Sequence, residues 1–341
     1  MATSRPTIKD VAALAGVSKS LVSLAMRESD RVSPASLAAI RAAANDLGYR
    51  PNAAARSLVD RRSHTIGVLV QDLHNPISAE VIAGVQRQVR ASGYHTMLVT
   101  GSEDPSLEQG AIEKLLEFQV EGLIIIGQRM PAGVQEATNG ECPTVIITRS
   151  ERHVAGLDSI SNDDVAGSRM AVEFLHSLGH RYIAHITGGD NQVALMRKSG
   201  YQDAMTDFGL AANISCYEGA FTDEGGYGGT RAALDSSIRH SALFVANDLA
   251  AVGALAAVAE QGLRVPKDIS VIGYDGMALG ALRSISLTTI AQPLAGMGEN
   301  AAALLFQRIK DPSRPPVHIG LEPKLVIRNS TGTFTGWPST Q

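Results

Sequence analysis

Residues 7–26 read TIKDVAALAGVSKSLVSLAM, and this stretch decides the fold at the N-terminus. Thr7 is a helix N-cap, with Asp10 three residues on in a capping-box arrangement. Ile8, Val11, Ala12 and Ala15 then share one helix face. Gly16 ends that helix and permits a tight turn. Ser18 caps a second helix, in which Val22, Ala25 and Met26 sit at i, i+3 and i+4. Two short helices joined by three or four residues that include a glycine make a helix-turn-helix. Further out, Ser33-Pro34 places a cap before an N1 proline, and a third helix runs through Leu37, Ile40, Ala44 and Leu47 to Gly48. Three short helices with a common Ala/Val/Leu core predict a small all-α headpiece over residues 1–50. A generic helical bundle is the bland alternative.

Charge separates these readings. Residues 1–62 hold ten Lys/Arg and five Asp/Glu, a net of +5. The rest holds twenty basic and twenty-nine acidic residues, a net of −9, which brings the chain to −4. A small basic module on a larger acidic body is the asymmetry expected when only one part meets a polyanion. The 341 residues suit two or three domains, and 44% hydrophobic content supplies real cores. No apolar run reaches the ~18–20 residues of a membrane helix, and the N-terminus lacks a signal-peptide pattern. Cys142 and Cys216 make neither a disulfide scaffold nor a four-ligand zinc site. A cytoplasmic protein is expected, associated with the nucleoid when bound to DNA.

Residues 7–26, with RVSPASLAAIRAAANDLGYRPNAAARSL at 31–58, resemble the headpiece of the LacI/GalR (lactose-repressor) family of bacterial transcription regulators. The resemblance implies that the second helix lies in the major groove. It assigns DNA contact to Thr7, Ser18, Lys19, Ser20, Leu21, Ser23, Leu24 and Arg31. This sequence departs from the family at two of them, with Leu24 where Arg is usual and Leu21 where Thr is usual. Leucine cannot fork two hydrogen bonds to guanine but can pack on a thymine methyl. The alternative is that both leucines fold back onto the headpiece core. Residues 51–63 read as a hinge: Asn52 is an N-cap and the alanines after it favour helix. About two turns is below the ~12–15 residues at which isolated helices become stable. Helix is therefore expected there only on DNA. The family pairs this helix with its dimer mate in the minor groove, which assigns contacts to Asn52, Ala55 and Arg56 and makes Leu58 an apolar wedge between base pairs. A plain Ala-rich linker is the competing reading.

From residue 64 onward, β-rich runs at 65–70, 95–100, 122–127, 144–148, 182–187, 242–247, 269–274 and 287–292 alternate with amphipathic helical patterns. That alternation predicts parallel sheets covered on both faces. The length suits two Rossmann-like subdomains, with ligands beyond the carboxyl ends of the strands. GxGxxG after a strand, GxxxxGK[ST] and GxSxG are absent, so dinucleotide, nucleotide-hydrolysis and serine-hydrolase readings lose support. The Gly225–Gly229 cluster reads as a loop or helix start. Glu173, His176 and His180 have metal-like spacing but sit at a helix exit. No metal, cofactor or catalytic constellation is expected.

SNDDVAG (161–167), EFLHSLGHRYIAHITG (173–188), ALMRKSGYQDAM (194–205), FVANDLAAVGAL (244–255), GLRVPKDISVIGYDG (262–276) and SLTTIAQP (286–293) resemble, in order, segments of the same family's periplasmic-binding-protein-like effector domain. Three crossings between subdomains are implied. They place 64–162 plus 293–321 in an N-subdomain, 163–292 plus 322–331 in a C-subdomain, and a loose tail at 332–341. The resemblance assigns effector contact to Asp72, Thr148, Arg197, Phe221, Asn247, Asp275 and Gln292. Asp and Asn suit vicinal hydroxyls, Arg forks two donors, and Phe offers an apolar face. Arg197 reads alternatively as a surface salt bridge, and Asn247 as a helix cap. Ile77 and Ser78 replace a common aromatic pair, Thr148 a common Asp, and Gly276 a second acid. This favours a small sugar, polyol or sugar phosphate over a purine, and Arg149 is placed to meet a phosphate.

The expected protein is an effector-controlled repressor, a homodimer or dimer of dimers on a palindromic operator. Corepression, the opposite sign, and activation at some promoters are the alternatives the family also includes. An exported solute-binding protein has no use for residues 1–62, and a sugar-modifying enzyme lacks its constellation.

Overall fold

The computed structural model describes residues 6–26, 31–50, 62–71, 73, 75–101, 105–127, 134, 142–147 and 156–337. The chain divides into two compact units, Met1–His64 and Thr65–Gln341. In the first, α1 (Ile8–Leu14), α2 (Lys19–Ala25) and α3 (Pro34–Asp46) follow the caps written in the sequence. The Asp10 carboxylate accepts from the Thr7 N–H at 2.7 Å and the Thr7 hydroxyl at 2.8 Å. Ser18 and Ser33 cap α2 and α3 by accepting from the N–H groups of Leu21 and Ser36, each at 3.2 Å. Val11, Val22, Ala25, Val32, Ile40 and Ala44 form the core these helices share.

Among the described residues the second unit contains two six-stranded sheets. Sheet 1 is parallel throughout and runs β11-β5-β4-β3-β1-β2. Its strands are β1 (Thr65–Val70), β2 (His95–Thr100), β3 (Gly122–Ile126), β4 (Thr144–Ile147), β5 (Asp158–Asn162) and β11 (His318–Leu321). Sheet 2 runs β12-β10-β9-β8-β6-β7, parallel except for β12 against β10. It comprises β6 (Ile183–Ile186), β7 (Ser215–Tyr217), β8 (Ala242–Val245), β9 (Ser270–Asp275), β10 (Thr288–Ala291) and β12 (Lys324–Val326). The chain passes between sheets after β5, after β10 and after β11. Each passage is followed by a segment whose apolar face fits the new sheet. Thus α6 (Asp164–Ser177) buries Ala171, Val172 and Leu175 with Phe244 and Ile290 of sheet 2. The last helix, α10 (Leu294–Lys310), buries Leu294, Met297, Ala301 and Leu305 with Ile66, Ile124 and Ile147 of sheet 1. The other helices are α4 (Pro76–Ala91), α5 (Pro105–Glu117), α7 (Gln192–Asp207), α8 (Asp223–Leu234) and α9 (Asp248–Glu260).

The Gly225–Gly229 cluster is the first half of α8, capped by Thr222. It lets α8 press against α9: a Cβ on Gly226 would overlap the Ala250 carbonyl. Four strands, β5, β7, β11 and β12, went unread in the sequence. The expectation of a loose tail from 332 is corrected for 332–337. Phe334 donates its N–H to the Leu178 carbonyl at 2.8 Å and stacks on His180, and the Arg239 guanidinium lies 4.1 Å from the Trp337 ring centroid. Residues 338–341 lie outside the described residues. His180 is held by the Ser241 hydroxyl at 2.9 Å and the Gly332 carbonyl at 3.0 Å, and His176 stacks on Phe208, so their spacing serves packing.

Candidate functional site

In the first unit, α2 presents Lys19 and Ser20 to solvent, and Thr7, Ser18 and Arg31 are exposed as well. Ser18 spends its side-chain oxygen on the cap of α2. Ser23, Leu21 and Leu24 are half-buried, and both leucines pack against the headpiece core. Part of each leucine stays exposed, so contact with the core and contact with a base remain compatible for both. Asn52, Ala55, Arg56 and Leu58 lie outside the described residues, as do Asp72, Thr148 and Arg149 in the second unit.

Sheet 2 ends in a cluster of polar groups at the carboxyl ends of its parallel strands. Ala246 and Asn247 follow β8, Asp275 closes β9, and Gln292 follows β10. The Ala291–Asp275 register sets the last two side by side. Arg197 reaches this cluster from α7 and is fully buried. Its Nε donates to Asp164 Oδ1 at 2.9 Å and its Nη2 to Asp275 Oδ1 at 3.0 Å, while Nη1 donates to the Ala246 carbonyl. Gln292 Nε2 donates to the same Asp275 oxygen at 2.6 Å. The guanidinium lies 3.6 Å from the Tyr274 ring centroid and 5.5 Å from that of Phe221. Burial opposes its charge, but Asp164 and Asp275 outweigh burial and hold the pKa above that of free arginine. The expected alternative of a surface salt bridge is thus corrected: Arg197 is the centre of a buried, ion-paired network.

Phe221 needs glycine beside it, since a Cβ on Gly188 would overlap its ring. Asn247 is the helix cap of the alternative reading. Its Oδ1 caps α9 by accepting from the Ala250 N–H at 2.8 Å, and its Nδ2 donates to the Phe221 carbonyl at 3.3 Å. Gln292 Oε1 is buried and has no hydrogen-bond partner among the described residues. A buried acceptor in that state costs about 1–3 kcal/mol unless a ligand or water meets it. The structure thus brings together Arg197, Phe221, Asn247, Asp275 and Gln292. Sequence reasoning missed Asp164 and Tyr274. The only signal for Asp164 was the Asp163-Asp164 pair at a helix start, where capping explains either residue.

Comparison with known proteins places the chain. The model of the bacterial regulatory proteins of the lacI family matches residues 7–52, and that of the periplasmic binding protein-like domain matches 172–331. The ribose operon repressor of Escherichia coli (strain K12) is 36% identical over 330 residues, covering 95% of this chain and 99% of the relative. The chain belongs to the LacI family. Its members are transcription regulators, and both units of the fold are those of the family. Among solved structures, the Lac repressor dimer bound to operator and an anti-inducer matches with a TM-score of 0.84 at 28% identity, over 96% of this chain and all of that one. A LacI-family regulator from Enterococcus faecium with bound ribose matches with a TM-score of 0.69 at 28% identity, over 80% and 100%. Among the described residues no helix is long and apolar enough to cross a membrane, and no His/Cys/Asp/Glu group is suited to a metal ion.

Proposed function

We propose that this LacI-family regulator binds a palindromic operator as a dimer and releases it when a small sugar fills the site above sheet 2. The observation that carries the effector class is the convergence of Arg197, Asp275, Asn247 and Gln292 beside the Phe221 ring. Such a set suits vicinal hydroxyls on one side of a ring and its C–H face on the other. The relatives support the class, since a ribose operon repressor and a ribose-bound regulator are among them. Asp72 and Thr148 complete the site from the first subdomain in this reading. Sugar binding draws the subdomains together, and the closed form holds the two hinge segments apart.

Thermal shift of the full-length protein against D-ribose, other aldoses, polyols, sugar phosphates and purines tests this. A true effector at 100 times its Kd adds about 2.7 kcal/mol. Asp275→Asn is expected to abolish the shift and the sugar response while operator affinity stays at the wild-type value. Loss of operator binding in a folded, dimeric Asp275→Asn protein would place the site wrongly.

On the headpiece, exposed Lys19 is the base-facing residue in this reading. Lys19→Ala is expected to weaken operator binding by roughly 1–3 kcal/mol and to relax the preference at one base pair of each half-site. A gel shift with unchanged affinity removes Lys19 from the interface.

A further inference from the structure

Asp248 begins α9, directly after the cap Asn247, and is fully buried. An acid in a first helical turn is common, because it faces the positive end of the helix dipole. The contacts of Asp248 go elsewhere. Oδ2 accepts from the Met277 N–H at 2.6 Å, and Oδ1 accepts from the Thr289 hydroxyl at 2.6 Å. Thr289 Oγ1 in turn accepts from the Gly276 N–H at 3.3 Å. One carboxylate therefore grips the turn after β9 from both sides.

That turn needs gripping. Asp275 has φ of 107° and Gly276 has φ of 77°. A non-glycine residue in this region is strained and persists only when its surroundings over-determine it. The strained backbone is what aims the Asp275 carboxylate at Arg197 and Gln292. Burial, followed by the charge of Asp275, pushes Asp248 up to about 7, so two acids are held near one another at a cost. The far end of the same turn leads to the other subdomain, since Met277 is buried in the core cluster of sheet 1 with Leu294 and Val81.

We propose that Asp248 is a positioning residue, which holds the strained Asp275–Met277 turn so that Asp275 faces the effector while Met277 stays seated in the sheet 1 core. The proposal rests on the effector-site reading above. It adds that pocket geometry and the seat of the sheet 1 subdomain depend on one carboxylate that touches neither ligand nor DNA.

The test uses full-length protein carrying Asp248→Asn, Asp248→Ala, Thr289→Val or Asp275→Asn, with D-ribose as probe. Amide hydrogen exchange is followed at Gly276 and Met277, with β6 as the internal reference. Both Asp248 variants are expected to exchange at least tenfold faster at these two amides, with β6 unchanged. Asn, which keeps one acceptor oxygen, is expected to fall between wild type and Ala. Thr289→Val keeps the carboxylate but removes the acceptor of the Gly276 N–H, so in this variant Met277 alone is read. A smaller rise there, from loss of the hydroxyl that orients Asp248, is expected, and it decides the matter if the Asp248 variants do not fold. D-ribose affinity is expected to fall at least tenfold in Asp248→Asn with operator affinity unchanged, a split that general destabilisation does not produce. Wild-type exchange in all three Asp248 and Thr289 variants overturns the proposal, whether or not D-ribose binds. If Asp275→Asn abolishes the D-ribose response and Asp248→Asn leaves it intact, the positioning role falls and the site stands. If Asp275→Asn responds like wild type, the site reading itself has failed.

Discussion

Replacing Arg197 with alanine lowers the stability of the Thr65–Gln341 unit by about 3–5 kcal/mol, the cost of stripping one partner from a buried ion pair. The guanidinium is fully buried, and it pairs with Asp164 at 2.9 Å and Asp275 at 3.0 Å, both also buried. Its removal leaves two carboxylates with no cation between them and empties the space against Tyr274. Combining Arg197→Leu with Asp164→Asn and Asp275→Asn is expected to recover much of the loss, because an uncharged set leaves no orphaned charge. Urea unfolding followed by the emission of Trp337, the one tryptophan, measures both proteins. A loss under about 1 kcal/mol in Arg197→Ala would show that the network is solvated in solution. The effector response disappears in Arg197→Ala for two reasons at once, which makes Asp275→Asn the cleaner probe of binding.

The same network shows what a sequence conceals. Arg197, Asp275, Asn247 and Gln292 each stand at a strand end or on a helix in a recognisable segment, so resemblance alone could assign them. Asp164 and Asp248 could not be separated from ordinary helix-start acids, because their roles depend on partners 33 and 29 residues away in the chain. Strand legibility followed the same logic. β3 reads GLIII and is buried throughout, so its apolar run announced it. β5 reads DSISN and is equally buried, yet it has one apolar side chain. Most of its polar groups are met by partners distant in sequence: Arg308 forks onto Asp158, His318 lies between Ser159 and Ser161, and Asn162 donates to Tyr274. β7 and β12 have three residues each, too few for any period to show. The tail misled by composition: its glycines and threonines read as loose, while Phe334 and Trp337 anchor it. In the headpiece each described helix was legible, because its start carries its own capping residue within three positions.

Operator affinity is expected to fall about a thousandfold or more between 50 and 200 mM salt. Each headpiece segment, residues 1–62, carries ten basic residues against five acidic ones, so a dimer brings twenty cations to one operator. If six or more of them meet phosphates, counterion release gives a slope of log affinity on log salt of about −5 or steeper. The remainder of each chain carries −9 and is repelled by DNA, so attraction is confined to the headpieces and nonspecific binding by the body is suppressed. Arg31→Ala and Lys19→Ala separate the two kinds of contact that make up the affinity. A residue on phosphate, the role expected of Arg31, lowers the steepness by about one and weakens all sequences alike. A residue on a base edge, the role expected of Lys19, changes which sequence is preferred. Fluorescence anisotropy with operator and scrambled duplexes across the salt range distinguishes these outcomes. A slope shallower than about −2 on the operator would mean that fewer than three phosphates are engaged across the dimer, and the basic segment would then need another role.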